Sequence, residues 1–134
     1  MTPADAQSFL AENFAQWVLD LDLTVEEITA THVLTSMPLT ERLARVGGIV
    51  SGQALAAMAD SSMVLATAGH FGEFRPVATT NLDTQFLRPG TGDSITCRAE
   101  IVRAGKALVF ARAEMAARPS GKAVATATAT FYLP

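Results

Sequence analysis

With 134 residues, 49% of them hydrophobic and 17% charged, the chain has the length of one ordinary domain and the apolar content of a packed core, which excludes an intrinsically disordered segment. Thirteen acidic against ten basic residues leave a net charge of −3, which excludes a nucleic-acid binder held by bulk positive charge. A single cysteine, Cys97, offers no disulfide framework, and with only His32 and His70 far from it in sequence no metal-site spacing exists.

Within residues 1–20 the periodicity from 3 to 19 predicts an amphipathic helix: Phe9, Leu10, Phe14, Trp17 and Val18 recur at spacings of three and four, behind a Thr2-Pro3 start. Its polar face carries acids rather than Lys and Arg, which favours packing on a core over lying on a membrane. Acids also stand where a secretory leader needs a basic start, so a cytoplasmic location is expected. Residues 23–37 are rich in Thr, Val and Ile with approximate alternation and predict one strand, ended by Pro38. A loop from Leu39 to Val50 follows, with Arg42, Arg45 and the pair Gly47-Gly48.

The run 52–69 (GQALAAMADSSMVLATAG) is built from Ala, Leu, Met and Val, which predicts a helix apolar nearly all round. A carboxylate and two serines at its centre argue against a membrane span, so the helix is expected inside a protein core. Thereafter the period becomes two. Strands are predicted at 78–87, 93–102, 107–117 and 123–133, with a hairpin turn at Arg103-Ala104-Gly105-Lys106 and a connection over 118–122. In the last strand Ala125, Ala127 and Ala129 share one face, which lets a helix approach closely. The order predicts a single α+β domain over 1–134, with about five antiparallel strands curled around one long central helix.

Asp60 is the sole charged residue between Arg45 and Glu73. An unpaired buried carboxylate costs several kcal/mol. Two readings of the residues stand open: a structural Asp bonded by Ser61, Ser62 or a neighbouring strand's threonine, and a base or nucleophile at the mouth of an apolar pocket. Upstream, Gly47-Gly48-Ile49-Val50-Ser51-Gly52-Gln53 leads straight into the helix, whose free N–H groups and dipole favour developing negative charge.

The segment GGIVSGQALAAMAD, followed by TTNLDTQFLRP and two hairpins, resembles the hotdog-fold acyl-CoA thioesterases, in particular their phenylacetate-degradation (PaaI-like) branch. The resemblance covers about residues 25–134 and implies a hotdog fold and hydrolysis of a small or medium, aromatic or aliphatic, acyl-CoA. It implies that Asp60 is the catalytic carboxylate, that the Gly52 N–H polarises the thioester carbonyl, and that Thr79, beside Thr80, positions water or substrate. Ser51 and Gln53 replace the family's histidine and second glycine, and Arg45 stands where the family often carries a polar residue; these four, Thr80 included, are expected to contact substrate. Coenzyme A enters as part of the substrate, and no separate cofactor and no metal is expected.

Gly52 and Asp60 are eight residues apart, about 12 Å along one helix at ~1.5 Å per residue. One carbonyl cannot be reached by both, so the pair must come from two subunits, and a homodimer, extended to a dimer of dimers, is expected. Residues 88–134 hold seven basic and three acidic residues, against three and ten in 1–87. Arg88, Arg103, Lys106, Arg118 and Lys122 fall at strand ends and are expected to attract the coenzyme A phosphates. The acyl group is expected against the central helix, Phe71, Phe74 and the first strand. His70, at the helix end, suits a dipole partner rather than a catalyst. A non-catalytic acyl-CoA sensor and an enoyl-thioester hydratase are the alternatives; the hydratase needs a histidine near Asp60.

Overall fold

Thr2 starts the chain with a reciprocal cap. The Asp5 N–H donates to Thr2 Oγ1 at 3.1 Å and the Thr2 N–H donates to Asp5 Oδ2 at 2.9 Å, with Pro3 in the first turn of α1 (Pro3–Asn13). The computed structural model describes all residues from Met1 to Pro134. The single helix expected to residue 19 is interrupted. Asn13 turns its amide back onto the Phe9 carbonyl at 2.9 Å, Phe14 and Ala15 are extended, and the helix resumes only as α2 (Gln16–Leu19). Phe9, Leu10 and Val18 are buried as the periodicity demands, whereas the break re-aims Trp17, which is 62% exposed.

The segment expected as one strand forms two, β1 (Thr24–Ile28) and β2 (His32–Pro38), paired antiparallel. The cause is local. Thr29 Oγ1 accepts from the N–H groups of Thr31 and His32, both at 3.2 Å, while the Thr29 N–H donates to the His32 carbonyl at 2.8 Å. A threonine hydroxyl bonded to its own backbone makes a turn. The expected loop 39–50 holds a 3₁₀ turn at Glu41–Leu43 and a two-stranded ribbon of β3 (Ala44–Arg45) and β4 (Ile49–Val50). The central helix α3 (Gly52–Phe71) runs two residues beyond its expected end, and β5 (Ala78–Phe86), β6 (Ser94–Ala104), β7 (Leu108–Arg118) and β8 (Ala123–Tyr132) follow the predicted strands closely. The main sheet has six strands, not about five, in the order β1-β2-β6-β7-β8-β5.

The inner sheet face is built by alternation. Val33, Thr35 and Met37 of β2, Ile95, Cys97 and Ala99 of β6, Val109 to Met115 at every second position of β7, and Ala125, Ala127, Ala129 and Phe131 of β8 are all buried. They enclose α3, whose own Met58, Ala59, Met63, Leu65 and Ala66 are fully buried. Buried hydroxyls on the helix are bonded: Ser62 Oγ and Thr35 Oγ1 lie 2.8 Å apart, and Thr67 donates to the Met63 carbonyl at 3.1 Å. Near its end the helix presses on the β1–β2 turn at Gly69, where a Cβ would lie 2.7 Å from the Thr29 carbonyl oxygen.

The two sheet edges differ. Along β1, the Gln7 amide donates to the Leu23 carbonyl at 2.8 Å and accepts from the Val25 N–H at 2.9 Å, so α1 seals that edge. Strand β5 pairs with β8 alone, and every residue except Thr84 is exposed. No helix is long and apolar enough to cross a membrane.

Candidate active site

Asp60 lies on the one stripe of α3 that the sheet leaves partly uncovered, with Ala56, Ala57 and Val64. Its carboxylate oxygen Oδ1 accepts from Thr79 Oγ1 at 3.0 Å. Ser61 and Ser62 do not supply that bond; Ser62 is turned to Thr35. Thr79 reaches the helix because its register partner is the inward-facing Phe131, and a bulge follows between Thr79 and Asn81. Burial pushes the Asp60 carboxyl above the usual aspartate range, and the Thr79 hydrogen bond offsets only part of that. A carboxylate so placed is desolvated, oriented and still reachable, the state a base or nucleophile needs. Cys97 is no rival nucleophile: burial pushes its thiol up to about 12.

At the amino end of α3, Ser51 caps the helix by accepting from the Ala54 N–H at 3.2 Å. The Gly52 and Gln53 N–H groups find no acceptor within the chain. Gly52 lines a cleft of about 270 Å³ with Arg45, Leu55, Phe86 and Arg88. The Phe86 ring lies over it so closely that a Cβ on residue 52 would meet ring carbon at 3.3 Å. Phe86 was not anticipated from sequence, although counting back in twos from it (Thr84, Leu82) places it on the helix side of β5. Gln53 opens onto a second cleft with Trp17, Asp20 and Arg42, the last two paired at 3.6 Å.

Other expected contacts are distributed differently. Thr80 is the bulge residue, and its hydroxyl donates to the Thr130 carbonyl at 3.1 Å, directed to its own sheet rather than toward Asp60. The five basic residues do not gather. Arg88, Arg118 and Lys122 stand at one end of the sheet and Arg103 and Lys106 at the other, about 30 Å away by strand length. Arg118 is already occupied, donating Nη1 and Nη2 to the two Glu26 carboxylate oxygens at 2.8 Å each. The pair holds Glu26 below the usual carboxylate range. Only Arg88 and Arg45 share a cleft with Gly52. Phe71 faces the Arg75 guanidinium at 4.2 Å, and His70 Nδ1 lies 3.3 Å from the Ala30 carbonyl, ten residues along the helix from Asp60.

One long helix gripped by an antiparallel sheet is the architecture of the hotdog fold of thioesterases. The family model for the acyl-CoA thioesterase N-terminal domain matches residues 41–132, and the chain belongs to that family. It is 31% identical over 115 residues to a Thermoplasma acidophilum protein named "Putative esterase Ta0293", covering 85% of each chain. A thioesterase family protein of Silicibacter pomeroyi superposes with a TM-score of 0.83 at 25% identity over 95% of this chain and 93% of that one. A Streptococcus pneumoniae protein described as a hypothetical thioesterase, solved with coenzyme A, gives 0.77 at 18% identity over 84% and 85%.

Proposed function

We propose that the protein is a homodimeric acyl-CoA thioesterase of the phenylacetate-degradation type, acting in the cytoplasm on a small or medium acyl group. The observation that carries this reading is the half-buried Asp60 carboxylate, its pKa raised by burial and its oxygen held by Thr79. Within one chain Asp60 and the Gly52 N–H are about 12 Å apart along α3, so one thioester is served by Asp60 of one subunit and the helix start of the other. The open edge of β5, exposed on both faces, supports a second copy there. Enclosed Thr84 Oγ1, without a partner in the chain, lies on the same strand.

In this mechanism the thioester carbonyl oxygen sits at the Gly52 N–H, where the helix dipole stabilises the developing oxyanion. Asp60 then takes a proton from water as it attacks, or itself attacks the carbonyl carbon. In either route the oxyanion collapses, the C–S bond breaks, and the thiolate leaves and is protonated; in the second, water then opens the mixed anhydride at the Asp60 carboxyl carbon. Both routes yield free acid and coenzyme A and use no further cofactor. Arg45 and Arg88, beside Gly52, are the cations that would meet the coenzyme A diphosphate. The relative solved with coenzyme A supports that class of ligand.

Asp60→Asn tests the assignment. Thiol release from an acyl-CoA panel should fall at least a hundredfold, and release at the wild-type rate removes Asp60 from the reaction. Single turnover in ¹⁸O-water separates the routes, because only the nucleophilic one leaves label in the Asp60 carboxylate. Binding without thiol release marks a sensor instead.

A further inference from the structure

We propose that Ser62 and Thr35 are positioning residues: the buried hydrogen bond between them fixes the rotation and height of α3 against the sheet, and thereby holds Asp60 opposite Thr79. Their role rests on the hydrolase reading above, which gives Asp60 its chemistry, and extends it to residues on the far side of the helix.

A helix apolar nearly all round has little hydrophobic reason to prefer one setting. The stripe that α3 leaves uncovered carries Ala56, Ala57, Asp60 and Val64; turned by one residue, it would carry Ala57, Met58, Ser61 and Leu65 instead. Slid by one turn, α3 would set Ala56 or Val64 opposite Thr79. The Asp60 charge opposes full burial but accepts a wide range of angles.

Directional contacts make the choice. Ser62 and Thr35 are both fully buried, with hydroxyl oxygens 2.8 Å apart. Theirs is the one buried hydrogen bond that joins α3 to the sheet: Thr67 bonds within the helix, and the Thr79–Asp60 bond is exposed. A slip would strand both hydroxyls in an apolar core, where a single polar pair specifies register. Gly69 is a second stop. It lies seven residues beyond Ser62, two turns along the same face and about 10 Å away, on the side of α3 opposite Asp60. Between Gln53 and Phe71 it alone lacks a Cβ, so no neighbouring residue fits against the Thr29 carbonyl in its place. At a side-chain radius of about 5 Å, a rotation of about 20° moves the carboxylate about 2 Å, enough to break its 3.0 Å bond from Thr79.

The test couples the buried pair to the exposed one. Thr35→Val/Ser62→Ala replaces both hydroxyls by apolar groups, so the protein should fold with Tm near the wild-type value. Burial and the Thr79 bond are the two causes that set the Asp60 titration. It is followed by NMR of ¹³C-carboxyl-labelled aspartate, with the Asp60 signal assigned by its loss in Asp60→Asn. In the otherwise wild-type protein Thr79→Val should move that titration to higher pH; in the Thr35→Val/Ser62→Ala background the same substitution should move it little or not at all. Thr35→Ser, which keeps a hydroxyl, should restore the response. With acyl-CoA, kcat of the double variant should fall about tenfold or more at nearly unchanged KM. Ser62→Ala alone gives the same comparison should the double variant fail to fold. An equal Thr79→Val shift in both backgrounds, or no shift in either, overturns the positioning role. The titration uses no substrate, so its outcome stands apart from the hydrolase reading, which fails if the wild type releases no thiol.

Discussion

Asp60 and Thr79 form a unit whose parts oppose each other energetically. Burial favours the neutral acid, and the Thr79 hydroxyl favours the ionised form that chemistry requires. Activity therefore falls as pH drops through a pKa already above the ordinary aspartate value. Thr79→Val removes the favourable hydrogen bond at nearly constant volume, so the acid limb of kcat/KM should move to higher pH; an unmoved limb would sever the link. The same balance makes a stability statement. The folded state binds the Asp60 proton more tightly than the unfolded chain, so stability is lost as pH rises through the raised pKa. The penalty opens between the unfolded and the raised folded value and is greatest above both. Asp60→Asn should accordingly raise Tm at pH 7, with the gain vanishing below the unfolded value near 3.8; calorimetry at both pH values checks this. That an isolated acid in an apolar helix is a candidate for the site was legible from the chain alone. Its partner was legible only as a candidate, because the bulge that follows Thr79 and the register that turns it inward are properties of the β5–β8 pairing.

Elements explain which charges can serve the site. Strand direction sends Arg103 and Lys106 to the far end of the sheet, and Glu26 engages Arg118 across the fold. Arg88→Ala should raise KM for acyl-CoA severalfold, whereas Arg118→Ala should leave KM unchanged and cost little stability, as partly exposed ion pairs do. Steady-state kinetics and chemical denaturation of the two variants make the comparison. Sequence reading placed α3 and the last four strands well because their periods are long and unbroken. It failed where a short polar side chain competes for the backbone: Asn13 folding onto Phe9 split the first helix, and Thr29 made a turn inside a run with strand composition. Basic residues near strand ends were visible in the chain, and the alternating direction of the last four strands already sends Arg103 and Lys106 to the end opposite Arg88, Arg118 and Lys122; that Glu26 occupies Arg118 depends on the fold bringing β1 to it.

At the scale of the whole molecule, the sheet has one sealed edge and one open one. Gln7 closes β1, and β5 stands uncovered with its single enclosed, unbonded hydroxyl at Thr84. The eight-residue spacing of Gly52 and Asp60 keeps the two halves of the proposed chemistry apart in one chain, and juxtaposition of two β5 edges would unite them. Co-expression of two inactive variants tests this most directly. Asp60→Asn removes the acid, and Gly52→Pro removes the N–H at a first-turn position whose backbone suits proline, with the half-exposed Phe86 ring shifting to admit the added carbons. In a mixed dimer one site is doubly damaged and the other is intact. Random assortment makes half the dimers mixed, so thiol release should recover to about a quarter of the wild-type rate per site. Recovery no greater than the sum of the separate variants would contradict a site shared between two chains.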